Sequence, residues 1–86
     1  MNKLTAFSNA LACFHYLLSM YPDSVTWFTQ WPCEYEIVFH VDLQRFKTDS
    51  IVKELDNMRL AGSSLDVSTH IRSDVHFVHI HFPWLV

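Results

Sequence analysis

Histidine is concentrated in the last third of this chain. Four of the six histidines lie between residues 65 and 82, at His70, His76, His79 and His81. Imidazole is the side chain best suited to bind a metal or to change charge near neutral pH. The chemistry available to this segment is therefore metal ligation, pH sensing or general acid–base catalysis, and which of these applies depends on which histidines share a face.

The polar and apolar residues of the same segment alternate around a turn at Ser73-Asp74, which predicts a β-hairpin. A one-residue slip would put apolar side chains on the wrong face, so an even loop is favoured. One face then pairs Leu65 with Phe82, Val67 with Ile80, Thr69 with Val78 and Ile71 with His76. The other pairs Asp66 with His81, Ser68 with His79, His70 with Phe77 and Arg72 with Val75. Because Ser-Asp is not the preferred Asn-Gly type of turn, a four-residue loop over 72–75 is expected rather than a two-residue one.

Periodicity predicts the elements that precede the hairpin. Residues 3–21 carry two neighbouring apolar helix stripes, whose combined arc of about 200° is wider than one sheet face needs. Residues 25–31 are rich in β-formers, and in 35–42 the residues Tyr35, Ile37, Phe39 and Val41 point to one side. A second helix is expected from an N-cap at Thr48 to Gly62. Its buried stripe is expected to be Ile51, Val52, Leu55, Met58 and Ala61.

The order is α-(β)-β-α-β-β, and the 86 residues are enough for one domain, 1–86. We expect an α+β fold with a small sheet of three to four strands and both helices mainly on one face. The sheet is expected to be antiparallel, with a mixed sheet as the alternative.

Such a fold would gather several potential metal ligands on the other, more polar face. The alternative function is therefore a His-rich metal-binding or pH-responsive domain. Its zinc form would use His40, Asp66, His70, His79 and His81, because zinc takes about four His, Asp, Glu or Cys ligands in a tetrahedral array. No ligand motif of specific spacing supports it. The simpler interpretation is a solvated face on which imidazoles pair with carboxylates, as in Asp66–His81.

Catalytic signatures are missing from the sequence. Ser68, His79 and Asp66 would supply the residue types of a hydrolytic triad, as many chains with six histidines would. No nucleophile-elbow glycine pattern, phosphate-binding loop or dinucleotide fingerprint accompanies them. We therefore expect a protein that is not an enzyme, with a small hydrolase as the least favoured alternative.

Aromatic residues provide the main hypothesis about function. Trp27, Trp31 and Tyr35 lie close together in sequence, and Trp84 follows near the end. Trp and Tyr are enriched in protein interfaces, although in a small domain they also build the core. The sequence thus predicts a protein-binding module. By analogy of size, this is an inhibitor or accessory protein of the phage or mobile-element type that acts on a host complex. The predicted partner-binding residues are Trp27, Trp31, Tyr35, Trp84, Glu36, His40, His79 and His81.

Charge and composition exclude other partners. The net charge is −3 and the six Lys and Arg residues are scattered, which disfavours nucleic acid and anionic membranes. The N-terminal apolar stretch is interrupted by polar residues, so neither a signal peptide nor a membrane span is expected. Two cysteines, Cys13 and Cys33, are expected to be buried thiols in a cytoplasmic protein. The wide apolar arc of the first helix predicts self-association through residues 4–21.

Overall fold

The computed structural model is an α+β fold of two helices and one four-stranded sheet. It describes residues 2–30, 33–42, 48–60 and 65–84. The elements in chain order are α1 (Lys3–Met20), β1 (Val25–Gln30), β2 (Glu34–Asp42), α2 (Thr48–Leu60), β3 (Asp66–Arg72) and β4 (Val75–Pro83). The spatial order of strands is β1-β2-β4-β3, and every neighbouring pair is antiparallel. The predicted fold class is confirmed in its antiparallel form, and residues 25–30 are a strand.

The β3–β4 hairpin has the predicted register, from Asp66 opposite His81 to Arg72 opposite Val75. The loop contains only Ser73 and Asp74, so the favoured four-residue loop is wrong. Both loop residues have positive φ, 51° and 63°. Two successive left-handed residues are the geometry of a type I′ turn, whose twist matches that of the flanking strands. Strand twist therefore determines this turn despite the unfavourable residue types.

The two central strands, β2 and β4, are separated in sequence by α2 and β3 and pair over nine positions. On one face of the sheet this pairing buries Ile37 and Phe39 completely, beside Ile80 and Phe82 of β4. This side of the sheet is the core, as the alternation in residues 35–42 predicted.

Helix α1 packs on the core side through its smaller side chains. Ala6, Ala10, Cys13 and Leu17 are fully buried, whereas Leu4 of the bulkier stripe is 76% exposed. Small residues allow the helix to approach the sheet closely enough for Phe7 and Phe14 to reach the indole of Trp27 edge-on. The apolar arc is thus wider than the part that the sheet covers.

Helix α2 packs on the same side, where Ile51 and Leu55 join the core. Beside it lies an open cavity of about 520 Å³, lined by Asp49, Val52, Lys53 and Asp56 of the helix and by Val67, Thr69 and His76 of the sheet. The predicted end of this helix at Gly62 lies outside the described residues. Within the described ranges, no helix has both the length and the hydropathy needed to cross a bilayer.

Trp84, the residue that follows β4, lies against the core. The Trp84 N–H donates to the carbonyl oxygen of Cys33 at 2.9 Å, and the indole lies 4.6 Å from the Tyr35 ring. The Lys3 ammonium lies 5.4 Å from the Trp84 ring centroid. Trp84 is therefore a core residue, and it also links the end of β4 to the start of α1.

Candidate functional site

The candidate site lies on the sheet face opposite α1 and α2, which we call the uncovered face. Pairing across the four strands places on it His40 of β2, His70 of β3, and Phe77, His79 and His81 of β4. Phe28 of β1 lies opposite Glu36 at its edge and is 46% exposed. The described part of the chain places no helix over this face.

Glu36 is the centre of this face. Only 8% of the residue is exposed, although it belongs to the face without a helix. Its Oε1 accepts a hydrogen bond from Nδ1 of His79 at 3.0 Å, and its Oε2 lies 3.3 Å from Nδ1 of His81. Oε2 of Glu34 lies 3.4 Å from the same Nδ1. We call Glu34, Glu36, His79 and His81 the Glu–His cluster, in which two carboxylates converge on one imidazole.

Strand geometry explains why these four side chains meet. Residues i and i+2 of a strand point to the same side, which groups Glu34 with Glu36 and His79 with His81. The β2–β4 register sets Glu36 directly opposite His81. It sets Val38 opposite His79, so Glu36 is the diagonal neighbour of His79. Side chains directly opposite or diagonal across two strands are within reach of each other. The cluster therefore follows from the register alone and needs no unusual backbone.

A row of stacked rings extends from the cluster across the face. His70 stacks on Phe77 at 5.1 Å, and on its other side Phe77 lies 5.7 Å from the His40 ring. His70 is also 4.8 Å from His79, whose ring is 6.4 Å from that of His81. Within the described chain, Nε2 of His79 is buried without a hydrogen-bond partner. The row is a rigid, partly apolar surface with imidazole nitrogens along it.

His81 also contacts a hydroxyl group. Its Nε2 lies 3.4 Å from Oγ of Ser68, while its Nδ1 faces the two glutamates. The order hydroxyl, imidazole, carboxylate is that of a nucleophile with its base and orienting acid, although both distances are longer than the usual reach of such a relay. An oxyanion hole requires free donors beside the nucleophile. Ser68 lies within the paired β3–β4 ladder, and the cavity beside α2 is on the other face.

The predicted partner-binding residues divide between the two faces of the sheet. Glu36, His40, His79 and His81 share the uncovered face, as the alternation predicted. Tyr35 and Trp84 are buried in the core, and Trp27 is packed against it between α1 and the sheet. Trp31 lies outside the described residues.

The predicted zinc ligands all lie on the uncovered face, but only His81 belongs to the group whose donor atoms converge. That group is Glu34, Glu36 and His81, with donor atoms within 4.8 Å of one another. Asp66 is the cross-strand neighbour of His81, yet the structure brings the His81 ring to the two glutamates. Glu34 was missed; the signal that points to it is its i, i+2 relation to Glu36.

Both cysteines are free thiols, Cys13 in the core and Cys33 half-buried. Burial raises the pKa of the Cys13 thiol to about 12. A thiol with so high a pKa is protonated at neutral pH and is a poor nucleophile. Cys13 therefore contributes packing rather than chemistry.

Comparison with known proteins adds no relative to this description: no protein-family model, curated protein or solved structure matches the chain.

Proposed function

We propose that this protein is a non-catalytic protein-binding module whose contact surface is the uncovered face. The observation that supports this most is the arrangement of the helices, both of which pack on the opposite side and leave a preordered polar and aromatic sheet face. A cytoplasmic inhibitor or accessory role on a larger complex suits a chain of this size, and the two free thiols fit a reducing compartment.

The rigidity of the face favours binding. Stacked rings lose little conformational entropy on association, since each ring has only two side-chain torsions. The contact between Glu36 and His79 holds the centre of the face in place before a partner arrives. Catalysis would also require a cleft and free donors near Ser68, and the described cavity lies on the opposite side.

The chemistry of the face indicates the kind of partner. Glu34 keeps about a quarter of its side chain exposed, and Phe28 offers an exposed apolar ring near it. A partner surface with a Lys or Arg beside an aliphatic side chain would complement both. A short basic segment of another protein is therefore the occupant we propose.

Affinity capture from native host lysate tests this function with four baits, the wild type and three variants. Phe28→Asp and His81→Asp alter the uncovered face, and Ala12→Asp alters an exposed position of α1 on the other side of the sheet as the matched control. We expect one protein to be retained by the wild type and by Ala12→Asp and to be lost with both face variants. A protein retained equally by all baits, or none retained by the wild type, would contradict the proposal.

A second candidate function, a divalent-metal site, is favoured by one specific observation. The two distances from His81 Nδ1 to the glutamate oxygens, 3.3 and 3.4 Å, exceed those of charge-assisted hydrogen bonds. They match the separation of about 3.4 Å between two ligand atoms of a tetrahedral zinc site with bonds of about 2.1 Å. His79 would then hold the Glu36 carboxylate by a hydrogen bond from outside the ligand set, and ligating carboxylates are commonly held in this way.

Isothermal titration with Zn²⁺ and Ni²⁺ separates the two functions. If the metal site exists, the wild type binds one equivalent, Glu34→Gln loses that binding, and Asp66→Asn keeps it. If protein binding is the function, we expect no stoichiometric heat with the wild type. Saturable binding that Asp66→Asn removes and Glu34→Gln preserves would refute the ligand set of Glu34, Glu36 and His81.

A further inference from the structure

Strand β3 is an edge strand of the sheet, and its side chains are largely exposed. Ile71, an apolar β-branched residue, is 64% exposed there. An exposed edge presents unpaired backbone groups that can pair with another strand. We propose that two copies of this chain associate through their β3 strands, antiparallel about a twofold axis at Thr69.

The sequence of β3, Asp-Val-Ser-Thr-His-Ile-Arg, is complementary to itself in this register. Asp66 lies opposite Arg72 of the second copy at both ends of the pair, so two opposite-charge pairs form. Val67 lies opposite Ile71 of the second copy, which covers the exposed isoleucine. Thr69 meets its own copy at the axis, and threonine pairs and opposite charges are both favourable cross-strand combinations.

The backbone of β3 is in phase with this pairing. The two-residue turn is closed by Arg72 and Val75, and the closing residues of such a turn form a hydrogen-bonded pair. Because hydrogen-bonded and non-hydrogen-bonded pairs alternate in an antiparallel ladder, His70, Ser68 and Asp66 also bond towards β4. The N–H and C=O groups of Val67, Thr69 and Ile71 therefore point outwards, where the twofold register pairs all of them.

Other registers of the β3–β3 pair form fewer favourable cross-strand contacts. Shifting the register by two residues in either direction sets Asp66 opposite His70, or Arg72 opposite Ser68, and loses both charge pairs and both Val67–Ile71 contacts. The opposite edge, β1, contains no charged residue that could select a register. The exposed stripe of α1 remains a separate predicted surface for self-association, but it contains no complementary charges.

The proposed dimer goes beyond the proposed function and does not depend on it. Its twofold axis is perpendicular to the sheet, so the helices of both copies lie on one side. The two uncovered faces then join into one surface of eight strands, with Ser68 beside His70 of the second copy. Edge pairing of one short strand makes a small interface, so we expect a weak association that depends on concentration.

A charge-swap series measured by sedimentation equilibrium tests the dimer. The wild type should change from the chain mass of 10.1 kDa towards twice that mass as its concentration rises through the micromolar range. Asp66→Arg or Arg72→Asp converts both attractive pairs into repulsive ones, and each should raise the dissociation constant about tenfold or more. The double variant exchanges the charges and should restore the wild-type constant. Both positions are exposed, so folding is not at risk.

Two results would overturn the proposal. One is a wild type that remains monomeric up to high micromolar concentration. The other is a dimer that both single swaps leave intact but that a Leu4→Gln/Leu11→Gln variant of α1 dissociates, which would assign the interface to residues 4–21. A double swap that is as weak as the single swaps would exclude the paired register in particular.

Discussion

The contact between Glu36 and His79 should make their contributions to the free energy of unfolding non-additive. Replacing the two residues separately and together tests this. Leucine is similar in size to both side chains and has no polar atoms. His79→Leu removes the N–H that donates to Oε1 of Glu36, so a carboxylate that is 10% exposed loses that hydrogen bond. Glu36→Leu removes the acceptor of His79, whose side chain is 25% exposed and whose Nε2 already lacks a partner among the described residues.

The expected loss of stability depends on which side chain remains without its partner, the carboxylate or the imidazole. A buried charge without its partner costs up to 3–5 kcal/mol, and a neutral buried group about 1–3 kcal/mol. Partial exposure and the remaining contact of Glu36 with His81 reduce these costs. We expect His79→Leu to lower the free energy of unfolding by about 2 kcal/mol and Glu36→Leu by about 1 kcal/mol. Because replacing both partners leaves no buried polar group, the double variant should lose about 1 kcal/mol or less.

Urea unfolding of the wild type, both single variants and the double variant gives these values as a double-mutant cycle. Glu34→Leu is the control, since Glu34 is more exposed and its contact with His81 is longer; it should change stability by less than about 0.5 kcal/mol. The reasoning is refuted if the two effects simply add, or if Glu36→Leu costs more than His79→Leu.

Four further predictions concern other parts of the molecule. Asp74→Gly should raise the free energy of unfolding in urea by about 1 kcal/mol, since Asp74 has a φ of 63°; a loss would contradict the turn geometry. In the native protein iodoacetamide should label Cys33 before Cys13, and equal rates by mass spectrometry would contradict the burial. Because burial raises the pKa of Cys13 from 9.0 to about 12, the unfolded thiol ionises first, so the free energy of unfolding should fall from pH 9 to 12 and should fall less in Cys13→Ala. Leu4→Gln should leave thermal stability of the monomer nearly unchanged.

The hairpin shows how far the sequence predicts this fold. Within β3 and β4, alternation and a short even loop leave one acceptable register, and the structure has it. The loop length was mispredicted because residue preference at Ser73-Asp74 was given more weight than strand twist. Twist favours a two-residue type I′ turn even where both residues must adopt positive φ.

The Glu–His cluster could not be predicted in the same way. It depends on the register between β2 and β4, which are separated in sequence by α2 and β3 rather than by a turn. Such a long connection does not fix which residues face each other. The sequence places Glu34, Glu36 and His81 on one face, but their convergence requires Glu36 opposite His81. The same register explains why His81 contacts the two glutamates of β2 rather than Asp66, the partner that the sequence suggested.

Aromatic residues were hard to assign for a related reason. Tyr35 and Trp84 belong to residue types that are enriched in protein interfaces. Their burial in the core depends on α1 approaching the sheet through Ala6 and Ala10. A helix contact made of small residues leaves room for large rings around it, and that arrangement is a property of the packed state rather than of any local pattern.

The separation of Glu36 and His79 along the chain, 43 residues, has a consequence for folding. Contacts between distant residues form late, because the chain must lose the entropy of a long loop before they form. The hairpin can form early from local contacts, whereas the Glu–His cluster can assemble only when β2 and β4 pair. A ligand of the uncovered face would therefore recognise the completed fold and not the isolated hairpin, and its binding would stabilise the native state by mass action.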